Sequence, residues 1–327
     1  VILAGDIGGT NSRLALFAPG DLRRPVLERT FPSRARRGLR EIAAEFLAGR
    51  EGEVSLACFG VAGPVRNGRS ETTNLPWIVD VAELSAALGI RGVSVINDLE
   101  ANAFGLAALD AGDLCTLSEG DPDAAGNLCV VSAGTGLGEA GVYFDGRHHH
   151  PFASEGGHAS FSPTTEQESD LLRWLQGRFG HASWERVLSG PGLVNIYEFL
   201  RDTGRGPEPA WLAEEIRAGV AAAVISRHAL DGSSDLCSGA LDLLVRFYGI
   251  EAGNAALKYM ATGGVLLGGG IAPRNLDRLR GGGFMSAFLD KGRMRPLLEA
   301  MPVRVILNQR AALLGAARCA AERGGGN

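Results

Sequence analysis

ILAGDIGGTNSRLALF, residues 2–17, carries an apolar strand into Asp6, turns at Gly8 and Gly9, passes Thr10 and Asn11, and returns as an alternating strand. It reads as a β-hairpin whose turn needs positive φ or close backbone approach. LCVVSAGTGLGEAGVYF, residues 128–144, repeats the plan around Gly134-Thr135-Gly136. A single glycine hairpin is an ordinary turn. Two of them, each opening a half rich in strand and helix signals, predict an internally duplicated α/β chain. Such turns let backbone N–H groups face an anion with no side chain between, and Thr adds a hydroxyl donor. Neither turn runs into Gly-Lys-Ser/Thr, and neither fits G-x-G-x-x-G opening a helix, which argues against P-loop and dinucleotide readings. A third group, GGVLLGGGIAPRN (263–275), takes the strand Val265 to Leu267 into Gly268, Gly269 and Gly270, with Pro273 just inside a helix. A plain strand-to-helix turn and backbone approach to a nucleotide both fit it.

VSVINDLEANAFG, residues 93–105, sets an amide and a carboxylate, Asn97 and Asp98, where a short apolar strand stops and a helix begins. Asn and Asp cap helices by accepting from the first free amides. In open α/β sheets, ligands also sit outside the carboxyl ends of strands. On these residues alone, capping and chemistry both stand.

The chain has 327 residues, enough for two lobes, with ordinary hydrophobic and charged content. Its net charge of −5 gives no support for a nucleic-acid surface. Arg34, Arg36, Arg37 and Arg40, followed by Glu41 and Glu45, read as a solvated face. No apolar run is long enough to cross a bilayer, and Asp6 interrupts the opening VILAG too early for a secretory core. The five cysteines form no C-x-x-C pair, so neither a disulfide framework nor a zinc ribbon is indicated and reduced thiols in a cytoplasmic protein are expected.

In PFASEGGHASFSP (151–163), Glu155 and His158 flank two glycines, placing a carboxylate and an imidazole on one tight loop. His148-His149-His150 follows the turn FDGR and reads as a surface loop rather than a metal site. Thr165-x-x-Glu168 is a capping box ahead of apolar Leu171, Leu172, Trp174 and Leu175. WERVLSGPGLVNIYEFL (184–200) puts Glu185 before a Gly-Pro-Gly turn and a helix. Residues 211–262 are expected to be almost wholly helical, punctuated at Gly249 and Gly253, and the tail QRAALLGAARCAAER is a further amphipathic helix. LACFGVAGPV (56–65) reads as a strand and TNLPWIVD (73–80) as an extended loop.

In this order GDIGGTNSRLALF, TNLPWIVD, INDLEANAFG, GTGLG, EGGHASFSP, ERVLSGPGLVNIY and GGVLLGGGIAPR resemble the bacterial glucokinases, over essentially the whole chain. The resemblance implies the two-lobed hexokinase/actin-like ATPase (ribonuclease H-like) fold, with mixed sheets flanked by helices and a cleft that closes on ATP-Mg²⁺ and sugar. It implies a small domain of residues 1–108, completed by a C-terminal helix at about 305–327, and a large domain of 109–304. The implied activity is ATP-dependent phosphorylation of D-glucose at the 6-hydroxyl. A related kinase of mannose, fructose or an amino sugar is the alternative, and a non-catalytic sugar sensor stands further off. By the family pattern Asp98 is the general base. Asn97, Asp98, Glu155, His158, Glu185 and, in a matching loop, Asn74 meet the sugar. Asp6, Gly8, Gly9, Thr10 and Asn11 lie in the first phosphate loop, with Asp6 near Mg²⁺ through water. Gly134, Thr135 and Gly136 form the second, and Gly268 and Gly269 the nucleotide-side turn. A homodimer with no nucleic-acid or membrane partner is implied as well. The related repressor/open-reading-frame/kinase family follows its E-x-G-H segment with zinc-binding cysteines. Here ASFSPTTEQE follows, so zinc is not expected, and no N-terminal helix-turn-helix precedes the first strand.

Overall fold

The computed structural model describes residues 1–50, 52–72 and 75–324. The opening stretch folds as the hairpin β1 (Ile2–Ile7) and β2 (Asn11–Ala18), in antiparallel register with Asp6 opposite Arg13. A third strand, β3 (Asp21–Pro32), pairs along β2. The sequence gives that strand little apolar signal, because it is a largely exposed edge carrying Arg, Glu and Asp. After helix α1 (Leu39–Leu47), strand β4 (Leu56–Val61) lies parallel to β1. Helix α2 (Val81–Leu88) then leads to β5 (Gly92–Asn97), parallel to β4, and β5 passes directly into α3 (Asp98–Gly105). The five-stranded order is β3-β2-β1-β4-β5.

Strand alternation decides what covers each face of this sheet. Leu3, Ile7, Leu14 and Leu16 point to the side where Leu39, Ile42 and Phe46 of α1 pack. Ile2, Ala4, Ala15 and Phe17 point to the other, where Leu313, Leu314 and Ala317 pack. Those last three belong to the terminal helix of the described chain.

The second sheet repeats the plan. After the edge strand β6 (Leu114–Ser118) come β7 (Leu128–Ala133), β8 (Leu137–Phe144) and β9 (His149–Ser154). Four helices follow: α4 (Glu166–Phe179), α5 (Gly190–Asp202), α6 (Ala210–Ala218) and α7 (Ala221–Leu230). The 25-residue α8 (Asp235–Tyr259) precedes β10 (Gly264–Gly268), and α9 (Gly283–Leu289), β11 (Val303–Ile306) and α10 (Ala311–Gly324) complete the order. The ladder runs β9-β8-β7-β10-β11-β6, so its first five strands follow the same 3-2-1-4-5 sequence as the first sheet. The duplication read from two glycine hairpins thus extends to the topology of both sheets.

Contact density divides the chain into residues 1–114, 140–153 and 308–327 in one unit, and residues 115–139 and 154–307 in the other. The boundary falls inside β8 and inside β9, although both are strands of the second sheet.

Several local expectations change. Gly249 and Gly253 do not punctuate the helical region; both lie inside α8. A Cβ at Gly249 would overlap the Phe284 carbonyl oxygen of α9, and one at Gly253 would stand 2.7 Å from the Phe288 carbonyl oxygen. These glycines are the grooves into which a neighbouring helix packs. Gly190, Pro191 and Gly192 form the first turn of α5 rather than a turn ahead of it, with Ser189 as N-cap. His149 and His150 begin β9, an exposed edge strand, rather than sitting in a loop. The Thr165–Glu168 capping box forms as read. No helix among the described residues is long and apolar enough to cross a membrane.

Candidate active site

The first glycine turn is built at the end of β1. Gly8 N–H donates to the Asn11 carbonyl (3.0 Å), and a Cβ on Gly8 would press on that same oxygen at 3.0 Å. Glycine is needed here for close approach; its φ is not positive. Ser33 holds the turn from outside. Its N–H donates to Thr10 O (2.9 Å), its hydroxyl donates to Gly8 O (2.7 Å), and Ser12 Oγ lies 2.9 Å from the same hydroxyl in the buried interior. Thr10 and Asn11 are left exposed at the tip. Ser33 stands far from the turn in sequence, and no local pattern would have found it.

Asp6, on β1 just before this turn, is half-buried. Desolvation pushes its carboxyl above the usual range, and the nearby Arg13 guanidinium offsets part of that. Among the described residues no three His, Cys, Asp or Glu side chains gather as a metal-holding group. Mg²⁺ that arrives on nucleotide phosphates keeps most of its waters and needs only one or two carboxylates. A single carboxylate beneath a turn of exposed backbone fits that donor set.

Asn97 and Asp98 answer the question left open by their sequence. Asn97 is a helix cap: its Oδ1 accepts from Leu99 N–H (2.8 Å), and its Nδ2 donates to the Gly63 carbonyl (3.1 Å). An amide has two donors and two acceptor sites, so one of each stays available for a ligand. Asp98 is the first residue of α3, partly exposed, and its Oδ1 lies 3.0 Å from the same Leu99 N–H. Capping and presentation of a carboxylate are both served by adjacent side chains. Asn97→Ala is expected to cost about 1–2 kcal/mol of stability, because Leu99 N–H loses the nearer of its two acceptors and Gly63 O loses its side-chain donor. Urea unfolding measures this; an unchanged midpoint would show the cap to be dispensable.

In the other unit the turn Gly134-Thr135-Gly136 follows β7. Gly134 N–H donates to Gly136 O (2.8 Å), and Gly190 N–H, at the start of α5, donates to Gly134 O (2.8 Å). Thr135 is exposed at the tip. Glu185 lies directly against this turn. Its Oε2 accepts from Leu137 N–H (3.0 Å), and a Cβ on Gly136 would stand 2.6 Å from the same oxygen. Gly269 packs on the turn's other side in a left-handed conformation (φ +76), where a side chain would overlap the Ala133 carbonyl. Gly268 ends β10, and the buried Tyr248 hydroxyl lies 3.1 Å from its carbonyl and 2.9 Å from Val131 O.

Glu155 and His158 bracket a single turn of 3-10 helix, with His158 N–H donating to Glu155 O (3.0 Å). Their side chains are both 56% exposed and 3.8 Å apart, too far for a hydrogen bond and close enough to address one ligand. The segment is tied to the one carrying Glu185, since Trp184 N–H donates to Ala159 O (3.0 Å) and Phe161 N–H to Ala182 O (2.9 Å).

One unit holds Asp6, Gly8–Asn11, Asn97 and Asp98, and the other Gly134–Gly136, Glu155, His158, Glu185, Gly268 and Gly269. Asn74 lies outside the described residues.

Known proteins resemble this chain over nearly its whole length. The family model described as Glucokinase matches residues 3–323. The glucokinase of Nostoc sp. (strain PCC 7120 / SAG 25.82 / UTEX 2576) is 40% identical over 338 residues, covering 98% of this chain and 99% of that one. The crystal structure of a glucokinase from an Antarctic psychrotroph is 32% identical, with a TM-score of 0.83 over 98% of both chains. A ROK family glucokinase from Streptomyces griseus, solved with glucose and AMPPNP, is 23% identical with a TM-score of 0.67, covering 98% of this chain and 99% of that one. That last likeness speaks to the fold alone. With a family match over nearly its whole length and a curated relative at this identity, the chain belongs to the glucokinase family and is a glucose kinase.

Proposed function

We propose that the chain transfers the γ-phosphoryl group of ATP to the 6-hydroxyl of D-glucose, with Asp98 as general base. Asn97, Asn74, Glu155, His158 and Glu185 hold the sugar hydroxyls, and the turns at Gly8–Asn11, Gly134–Gly136 and Gly268–Gly269 receive the phosphates and nucleotide. The observation that carries this reading is the contact of Glu185 with Leu137 N–H beside Gly136. A carboxylate suited to sugar hydroxyls and a turn suited to phosphate share one anchor.

In the reaction the 6-hydroxyl oxygen bonds to the γ-phosphorus, its proton passes to the Asp98 carboxylate, and ADP departs with the bridging oxygen. Such a transfer asks the protein for position and charge stabilisation rather than covalent work. Ionised carboxylates only accept hydrogen bonds, which matches a sugar ring presenting several O–H donors. Exposed turn amides and the Thr10 and Thr135 hydroxyls supply donors to phosphate oxygens. Asp6 would hold Mg²⁺ through water, and the ion would offset phosphate charge there. We assign the enzyme to the cytoplasm as a homodimer on family likeness.

The test is sugar 6-phosphate formation from ATP and Mg²⁺ with glucose, mannose, fructose and N-acetylglucosamine side by side. Turnover strongest on glucose supports the reading; preference for another hexose transfers the assignment to it. Glu155→Gln is expected to raise KM for glucose about tenfold with little change in kcat, because it removes ground-state binding. An unchanged KM would take Glu155 out of the sugar site.

A further inference from the structure

Glu139 has no part in the chemistry above, yet it is the least ordinary ionisable residue in its unit. It is fully buried on β8, two residues beyond the Leu137 amide that holds Glu185, and no hydrogen-bond donor reaches either of its carboxyl oxygens. Facing it from α8 is Glu251, also fully buried, which accepts from Asn254 Nδ2 (2.8 Å) and Lys258 Nζ (3.1 Å). We propose that Glu139 is a positioning residue for the sugar-holding turn, a neutral carboxyl that donates its proton to Glu251 and forms the floor on which Gly156 is laid. The inference rests on the reading of Glu155 and His158 as sugar partners.

The geometry of the turn supports this directly. A Cβ on Gly156 would overlap Glu139 Oε2, and a Cβ on Gly157 would overlap the Leu137 carbonyl oxygen. Both glycines between Glu155 and His158 are thus required by close approach to β8 at Leu137 and Glu139. Gly156 N–H also donates to Ser154 Oγ (2.9 Å), which interacts with the Tyr259 hydroxyl at the end of α8. The turn's backbone is fixed from below, and its two functional side chains are fixed with it.

Two buried carboxylates in contact do not both ionise. A proton on Glu139 supplies the one donor that the pair lacks, and Lys258 serves Glu251. The other ionisable groups around the pair are Tyr259 on α8, Cys129 on β7 and Lys291 beyond α9, which faces Glu251. Burial first, then the Glu251 charge, pushes the Glu139 carboxyl up to about 8. The group is therefore neutral at pH 7 and ionises above about 8, where repulsion from Glu251 disturbs the floor under Gly156.

The experiment is a set of KM and kcat profiles for glucose between about pH 6.5 and 9.5 on wild type, Glu139→Gln, Glu139→Leu and Glu155→Gln. Gln is an isostere of the neutral carboxyl and keeps a donor for Glu251. Its KM at neutral pH should stay within about twofold of wild type. Wild-type KM should climb above about pH 8, and that climb should vanish in Glu139→Gln. Glu139→Leu should raise KM about tenfold at every pH, with kcat much less affected. The proposal is overturned if Glu139→Gln impairs glucose binding at neutral pH as much as Leu does, or if wild type and Glu139→Gln share one KM profile. If Glu139→Leu does not fold, the comparison of wild type with Glu139→Gln still decides. An unchanged KM in Glu155→Gln would sink the sugar-site reading itself. A raised KM there, beside coincident wild-type and Glu139→Gln profiles, would sink only the role of Glu139.

Discussion

Asp98→Asn is expected to lower kcat by about 10²–10⁴-fold while leaving the unfolding transition in place. The two effects separate because of how α3 begins. The cap on Leu99 N–H is supplied by Asn97 Oδ1 at 2.8 Å, and the Asp98 Oδ1 that shares this donor at 3.0 Å survives as an amide oxygen in the variant. An amide oxygen still accepts a hydrogen bond from the sugar hydroxyl but does not take its proton at neutral pH. Binding should therefore persist while transfer fails, so KM for glucose moves far less than kcat. Rapid-quench measurement of the first turnover distinguishes lost chemistry from slowed product release. A first turnover at near wild-type rate would remove Asp98 as the base.

Gly315→Val is expected to destabilise the protein by about 3 kcal/mol or more, among the largest effects a single substitution produces. Helix α10 crosses α3 backbone to backbone. A side chain at Gly315 would overlap the Ala101 carbonyl oxygen, and one at Gly105 would overlap the Ala311 carbonyl oxygen. On its other side α3 rests on β4, where a Cβ on Gly60 would come within 2.8 Å of Ala101 Cβ. With no slack on either face, α3 cannot accommodate an isopropyl group by shifting slightly. Moving α3 moves Asp98, its first residue, so kcat/KM should fall together with the urea midpoint. Gly177→Ala is the control: Gly177 is exposed in α4 with open space at the Cβ position. That change should be neutral or stabilising by up to about 1 kcal/mol. Equal midpoints for Gly315→Val and wild type would show the crossing to be looser than the packing requires.

What could be read in advance follows from what is local. The hairpin at residues 2–17, the strand ending at Asn97 and the Thr165–Glu168 box depend on neighbours within a few positions, and all three form. Glycine was harder to read, because flexibility and close approach leave the same letter. Gly269 combines the two, Gly8 and Gly136 show approach without positive φ, and Gly249 and Gly253 mark where α9 presses on α8. The partner in each case comes from elsewhere in the chain. Ser33 bonding Gly8 and Glu185 bonding Leu137 N–H are of the same kind. Glu139 did leave a signal, since it stands in the buried phase of an apolar strand with Leu137 and Gly141. A carboxylate in that phase demands a partner, but nothing in the strand says that the partner is Glu251, more than a hundred residues later.

The terminal helix α10 packs against the sheet that β1 begins. A ribosome therefore delivers the two halves of that core far apart in time. Ile2, Ala4, Ala15 and Phe17 emerge well before their cover, Leu313, Leu314 and Ala317. At about 5–20 residues per second the nascent apolar face waits some tens of seconds for it. That face is where a chaperone would engage the growing chain, and a chain truncated before Ala311 would leave it uncovered for good.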